Sequence, residues 1–170
     1  MHARTPSLPA PAWAVALVIL ALVLTGCGGD DDATADDTGA DPTPTQDLGQ
    51  KPNVEVPEGD PPAELVADDL VEGDGEEATA GSTVEVHYVG VAWTTGEQFD
   101  ASWDRGTTFS FRLGAGDVIP GWDEGVAGMR EGGRRHLVIP PAMAYGERGV
   151  PPDIGPNETL IFVVDLLSVS

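Results

Sequence analysis

Thr83-Val84-Glu85-Val86-His87-Tyr88-Val89 alternates with a period of two: Val84, Val86 and Tyr88 share one side, Glu85 and His87 the other. That is the pattern of a strand with one face on a core, so Tyr88 is expected to point inward. Phe109, Phe111 and Leu113 alternate with Ser110 and Arg112 in the same way and line the same interior. Leu137 to Ile139 and Leu160 to Leu167 are continuous apolar runs that suit central strands, the second buried on both faces for most of its length. Toward the N-terminus, Asn53 to Val56 and Glu64 to Val71 are rich in Val and Leu and are separated by Pro57, Gly59, Pro61 and Pro62. They predict two edge strands around a turn, the second ended by Gly73-Asp74-Gly75. A single helix is expected: Trp122, Val126 and Met129 fall at i, i+4 and i+7, with Pro120 in the first turn. Gly121, Gly125 and Gly128 weaken it, so it must be short and held by packing against the sheet. Strands in succession with one short helix inserted give an antiparallel α+β domain, the helix lying across a curved sheet.

The whole chain has 170 residues, room for one core and an appendage at roughly 150 residues per domain. Acidic side chains number 29 against 8 basic ones, a net charge of −21, which argues against nucleic acid as a partner. The single cysteine, Cys27, excludes an internal disulfide, a CxxC redox pair and a cysteine-rich zinc site.

Cys27 has its own context. Arg4 precedes an apolar run from Trp13 to Leu24, and Thr25-Gly26-Cys27 follows, which is the order of a secretory signal. The run is 12 residues long, short of the roughly 20 that span a bilayer. Leu24-Thr25-Gly26-Cys27 resembles the bacterial lipobox, which implies a signal peptide over 1–26 and acylation of Cys27, with an extracytoplasmic lipid anchor in the cell envelope. The bland alternative is a free thiol in an ordinary signal or an uncleaved anchor. Residues 27–52 then read as an acidic disordered tether: Gly28 to Gln50 hold seven Asp, no basic residue and one large aliphatic, Leu48. Asp30-Asp31-Asp32 lacks the spacing of a calcium loop and is a solvated charge run. Residues 53–79 form an N-terminal extension, and the main domain occupies 80–170.

Five ordered motifs stand in that main domain: Val86-His87-Tyr88-Val89-Gly90, Gln98-Phe99-Asp100-Ala101-Ser102, Val118-Ile119-Pro120-Gly121-Trp122, Ala144-Tyr145-Gly146, and Leu160-Ile161-Phe162-Val163-Val164-Asp165-Leu166-Leu167. Together they resemble the FKBP-type peptidyl-prolyl isomerases, and residues 53–79 resemble the extension of some bacterial members. The resemblance implies a half-barrel sheet wrapped around its helix, with no cofactor and no metal. It implies a substrate pocket of Tyr88, Phe99, Phe109, Val118, Ile119, Trp122, Ile154 and Phe162, with Trp122 as floor and the three phenylalanines as walls. Asp100 and Tyr145 would be the catalytic pair. The substrate's hydrogen bonds would come from the Ile119 N–H and the Tyr145 hydroxyl, and Asp100 would meet the substrate carbonyl, steadied by Tyr88 and Arg105.

The chemistry asked of such a pocket follows without the family. Rotating an X-Pro amide sacrifices its resonance, a barrier of about 18–20 kcal/mol, and makes or breaks no bond. The twisted amide has a less polar carbonyl than the planar one, so an apolar cavity favours it over the ground state. Rings of Phe and Trp with Val and Ile suit that work, and no nucleophile or general base is required.

Plainer readings compete. Trp122, Phe99 and Phe109 are ordinary core residues by type, and only their motif context reverses that. His87 reads as a strand residue near Glu85, and His136, beside Arg134 and Arg135, as surface. Gly114-Ala115-Gly116 lacks the spacing and setting of a phosphate loop. In the loop that covers one pocket edge the chain departs from many members at Asp153, where they have an apolar residue, and from some at Val150, where they have His; Asp153 is expected to disfavour acidic peptides. The expectation is therefore a monomeric, lipid-anchored isomerase acting on proline-containing segments of secreted or envelope proteins, with a pipecolate-type macrolide as a further ligand. The rival is a non-catalytic chaperone or adaptor that grips the same segments.

Overall fold

The computed structural model describes residues 48–170. The expected signal peptide, Cys27 and most of the expected tether lie outside the described residues. The elements are β1 (Val66–Val71), β2 (Thr83–Ala92), β3 (Gln98–Ala101), α1 (Ser102–Arg105), β4 (Phe109–Arg112), α2 (Pro120–Gly125), β5 (Arg134–Ile139) and β6 (Leu160–Val169). Six strands form one antiparallel sheet in the order β1-β5-β6-β2-β3, with β4 also pairing β2. The alternation around Tyr88 becomes β2, and the two apolar runs become β5 and β6 in the middle of the sheet, as their lack of a polar face predicts.

The two faces of the sheet bury different clusters. One holds Val84, Val86, Tyr88, Phe111, Leu113, Leu137, Leu166 and the helix residue Trp122; the other holds Val89, Val91, Ala101, Val138 and Ile161. Neighbours in sequence, such as Tyr88 and Val89, go to opposite faces because successive strand side chains alternate.

Helix α2 is shorter than its apolar spacing predicts. It ends at Gly125, with Val126 as its C-cap, and a tight turn rather than a second helical turn carries Val126 and Met129 into the core. Its glycines are there for close approach: a Cβ at Gly121 would stand 2.3 Å from Ile139, and one at Gly125 would stand 2.8 Å from Leu137. A second short helix, α1, follows β3 without sequence warning. The Ser102 hydroxyl anchors it, accepting the Tyr88 N–H at 2.8 Å and lying 2.8 Å from His87 Nδ1, and Gly106 ends it in the left-handed region. The His87 ring stacks on Trp103 at 4.2 Å.

Of the two expected edge strands only β1 forms, pairing with β5. Asn53 to Val56 is not a strand: Val54 and Val56 pack by their side chains against the second cluster and join no ladder. Gln50 to Pro52, assigned by composition to the tether, belong to the fold. The Gln50 carbonyl accepts from Arg134 at 3.0 Å, Lys51 pairs with Asp104 at 2.5 Å and Pro52 is buried. Arg134 itself is fully buried in an ion pair with Asp165, the one charge in the apolar run of β6. Burial leaves the Asp165 carboxyl raised above its ordinary value, although the Arg134 guanidinium opposes the shift. His136 is half-buried rather than at the surface, since β1 and β6 flank it with Asp68 and Val163.

Candidate functional site

A cavity of about 200 Å³ opens where β2, β3, β4 and β6 meet the start of α2. Tyr88 comes from β2, Phe99 and Asp100 from β3, Phe109 from β4 and Phe162 from β6; Val118, Ile119 and Trp122 come from the entry and first turn of α2, and Tyr145 from the chain after β5. Residues scattered over 75 positions of sequence thus converge because the sheet is antiparallel and the helix crosses it.

Trp122 organises the site. Its ring is 5.1 Å from Tyr88, 5.2 Å from Phe162 and 6.0 Å from Phe109, each edge to face, and it is 4% exposed. Phe99 meets Phe162 edge to face at 5.5 Å, and Phe111 backs Phe109 in a stack at 5.7 Å. Edge-to-face pairs add about 0.5–1.5 kcal/mol each beyond area burial, so these rings hold one another in place.

Two polar side chains of the wall, Tyr88 and Asp100, are engaged with each other and with Arg105, while the Trp122 indole N–H is buried without a partner. Tyr88 donates to Asp100 at 2.5 Å, and Arg105 pairs with the other oxygen of Asp100 while bonding the Tyr88 hydroxyl at 2.9 Å. Burial and the Asp100 contact push the Tyr88 phenol up, so it stays protonated and keeps donating. The Tyr145 phenol is raised as well, first by burial and then by the nearby Asp100 charge. Its hydroxyl has no partner among the described residues, and neither does the Ile119 N–H, which leaves both open to a ligand.

Ile154 does not line the cavity. The Val150–Ile154 bridge closes its loop and turns Ile154 into the core, where it is 5% exposed. Asp117 lines the cavity although sequence reasoning passed over it; its only signal was its place directly before Val118-Ile119. Asp153 is exposed and outside the lining. A second hollow of about 250 Å³ beside Asp69, Arg130 and Arg135 is more polar, but its charges serve the fold: Arg135 is held by Asp69 and by the Gly125 and Ala127 carbonyls. Among the described residues no cluster of His, Cys, Asp or Glu could hold a metal ion.

An antiparallel half-barrel closed over an aromatic hollow by a short helix is a known protein class. The family model described as FKBP-type peptidyl-prolyl cis-trans isomerase matches residues 74–167. A protein of Streptomyces anulatus named FK506-binding protein is 61% identical over 121 residues, 71% of this chain and 98% of that one. A probable FK506-binding protein of Corynebacterium glutamicum is 50% identical over 119 residues, 70% of this chain and 98% of that one. The crystal structure of AtFKBP13 superposes with a TM-score of 0.59 at 38% identity, covering 65% of this chain and 96% of that one. The structure of FkpA from Escherichia coli gives 0.57 at 47% identity, covering 62% and 48%. The chain belongs to the FKBP-type peptidyl-prolyl cis-trans isomerases, and it is an enzyme that isomerises X-Pro peptide bonds.

Proposed function

We propose that the prolyl ring of a substrate sits over Trp122 between Phe99, Phe109 and Phe162, and that the preceding amide twists inside this hollow. The observation that carries the reading is the convergence of these four rings, with Tyr88, around one open cavity. The Ile119 N–H and the Tyr145 hydroxyl are free donors and take the substrate's carbonyls. Asp100 faces the rotating carbonyl. Held by Tyr88 and Arg105, it keeps one geometry throughout the rotation, and its charge is balanced without water. Ile154 supports the loop from within the core. The preference for the twisted amide supplies the rate, at a factor of ten for each 1.36 kcal/mol.

The isomerisation assay on proline peptides tests these roles. Asp100→Leu removes a held charge and is expected to lower kcat/KM by more than Tyr145→Phe, which loses one hydrogen bond, about 2- to 10-fold. Because the Tyr145 phenol is raised above its usual 10.0, its donor form persists across neutral pH and the activity profile is flat from about pH 6 to 9. An inflection near neutrality, or full activity in both variants, overturns the assignment.

The relatives' name supports a macrolide of the FK506 type as a ligand of the same cavity, competing with peptide. Thr25-Gly26-Cys27 supports lipid anchoring and clients among secreted or envelope proteins, met by a monomer. Incorporation of labelled fatty acid into the wild type but not into Cys27→Ala tests the anchor; label in neither removes it.

A further inference from the structure

Three carboxylates stand at or near the cavity, and two are already committed. Asp100 is bound by Tyr88 and Arg105. Asp123 accepts the Gly114 and Gly116 N–H groups at 2.8 and 3.0 Å, which pins the loop that leads into α2. Asp117 is the next residue of that pinned loop; it lines the cavity, is exposed, and makes no ion pair or hydrogen bond among the described residues. No lysine or arginine shares the lining. With Arg105 offsetting Asp100, the mouth of an otherwise apolar site carries one uncompensated negative charge on a backbone that is fixed in place. Asp117 is also two residues from the Ile119 N–H, so any peptide held by that donor passes within reach of it.

We propose that Asp117 makes this isomerase selective for prolyl bonds flanked by a basic side chain, a lysine or arginine beside the X-Pro pair. The inference rests on the peptide placement given above. Its physical basis is a partly exposed charge pair, which favours the basic peptide and penalises an acidic one by like-charge repulsion. The pair is small against the apolar binding that every prolyl substrate shares, so it sets preference and not activity as such.

The test is a set of peptides alike except for alanine, lysine or glutamate at one position flanking the X-Pro pair, assayed with the wild type, Asp117→Asn and Asp153→Asn. A lysine-to-glutamate ratio taken within one enzyme is independent of how much of that preparation is active. The wild type should prefer lysine to glutamate by about two- to fivefold in kcat/KM at low salt. The preference should shrink at about 1 M salt, where the screening length is about 3 Å. Asp117→Asn should bring the ratio near one, and Asp153→Asn, outside the lining, should leave it standing. A ratio unchanged in Asp117→Asn, or lost in Asp153→Asn, overturns the proposal while leaving the isomerase intact. Failure of the wild type to turn over even the alanine peptide strikes the peptide placement and this inference with it.

Discussion

Gly90→Ala adds one methyl group to the row of β2 side chains that faces the cavity, and its effect can be worked out atom by atom. Gly90 lies opposite Phe162 in β6 and Asp100 in β3. A Cβ there would stand 2.7 Å from Phe162 Cε1 and 2.7 Å from Phe99 Cζ, against a carbon–carbon contact of about 3.5–4.0 Å. Both contacts must open by about 1 Å. Phe162 is 4% exposed and wedged between Trp122 and Tyr88, whereas Phe99 is half-buried with the open cavity beside it. Phe99 can swing into the cavity, while Phe162 can give way only by pressing on Trp122 and Tyr88 or by shifting β2, so the wall is distorted where the prolyl ring would lie. Overpacking of this kind costs about 1–3 kcal/mol of stability, and a displacement of about 1 Å in a positioning group costs up to about 100-fold in rate. Urea unfolding and the isomerisation assay read the two effects separately. Phe99→Ala in the Gly90→Ala background removes one of the two clashes and should recover at most part of the stability and none of kcat/KM. Full turnover in the destabilised single variant would mean that the Phe99–Phe162 wall does not touch substrate, and unchanged stability would refute the packing argument itself.

Other expectations concern the frame of the site. Arg134→Met leaves Asp165 buried without its partner and should cost about 3–5 kcal/mol in urea unfolding, most of it recovered in Arg134→Met/Asp165→Leu; a single variant as stable as the double one contradicts the buried pair. Burial holds the His136 imidazole below its ordinary 6.5, so the unfolded chain takes up this proton first. Stability should therefore fall as pH drops through about 6.5, and His136→Gln should flatten that part of the urea-midpoint profile. A fragment starting at Ala80 lacks β1 and the 50–56 segment, leaving β5 as an open edge and uncovering Val89, Val91, Val138 and Ile161; gel filtration should show it aggregating where a fragment from Gln50 stays dispersed.

Side chains whose partners lie in the same local pattern were legible from sequence, and those whose partners are distant were not. The alternation through Tyr88 and through Phe109 and Phe111 reports a face, and a face is what a strand needs, so β2 and β4 could be read directly. Val54 and Val56 show similar apolar character, yet they meet the outer surface of the sheet without ladder hydrogen bonds, and composition cannot tell these cases apart. The helix was foreseen from Trp122, but the glycines that looked like a weakness are what admit it against Ile139 and Leu137, and they also end it early. Arg134 and His136 sit in a charged run that reads as surface; only the pairing of β5 with β6 brings Asp165 opposite Arg134. At the site, the structure brings every expected residue except Ile154 to one cavity, Phe109 among them although it stands outside the five motifs; the loop of Ile154 turns it inward. The motifs missed Asp117, whose importance depends on Asp123 holding the loop in front of it.

A reaction that makes no bond leaves catalysis to the surroundings of the amide, and those surroundings must be in place before the substrate arrives. The arrangement of the rings meets this demand from behind: Phe162 rests on Trp122, Phe109 on Phe111, and both Tyr88 and Arg105 hold Asp100. A wall so braced cannot fold into its own cavity when empty, which an unsupported apolar hollow would do to bury its surface. Bracing engages the Tyr88 hydroxyl and the Asp100 carboxylate. What remains open to solvent or substrate includes the Ile119 N–H, the Tyr145 hydroxyl and the Asp117 carboxylate, while the Trp122 indole N–H is unpaired but buried. Those three groups are accordingly where differences between substrates can be felt, whereas the aromatic box treats every prolyl ring alike.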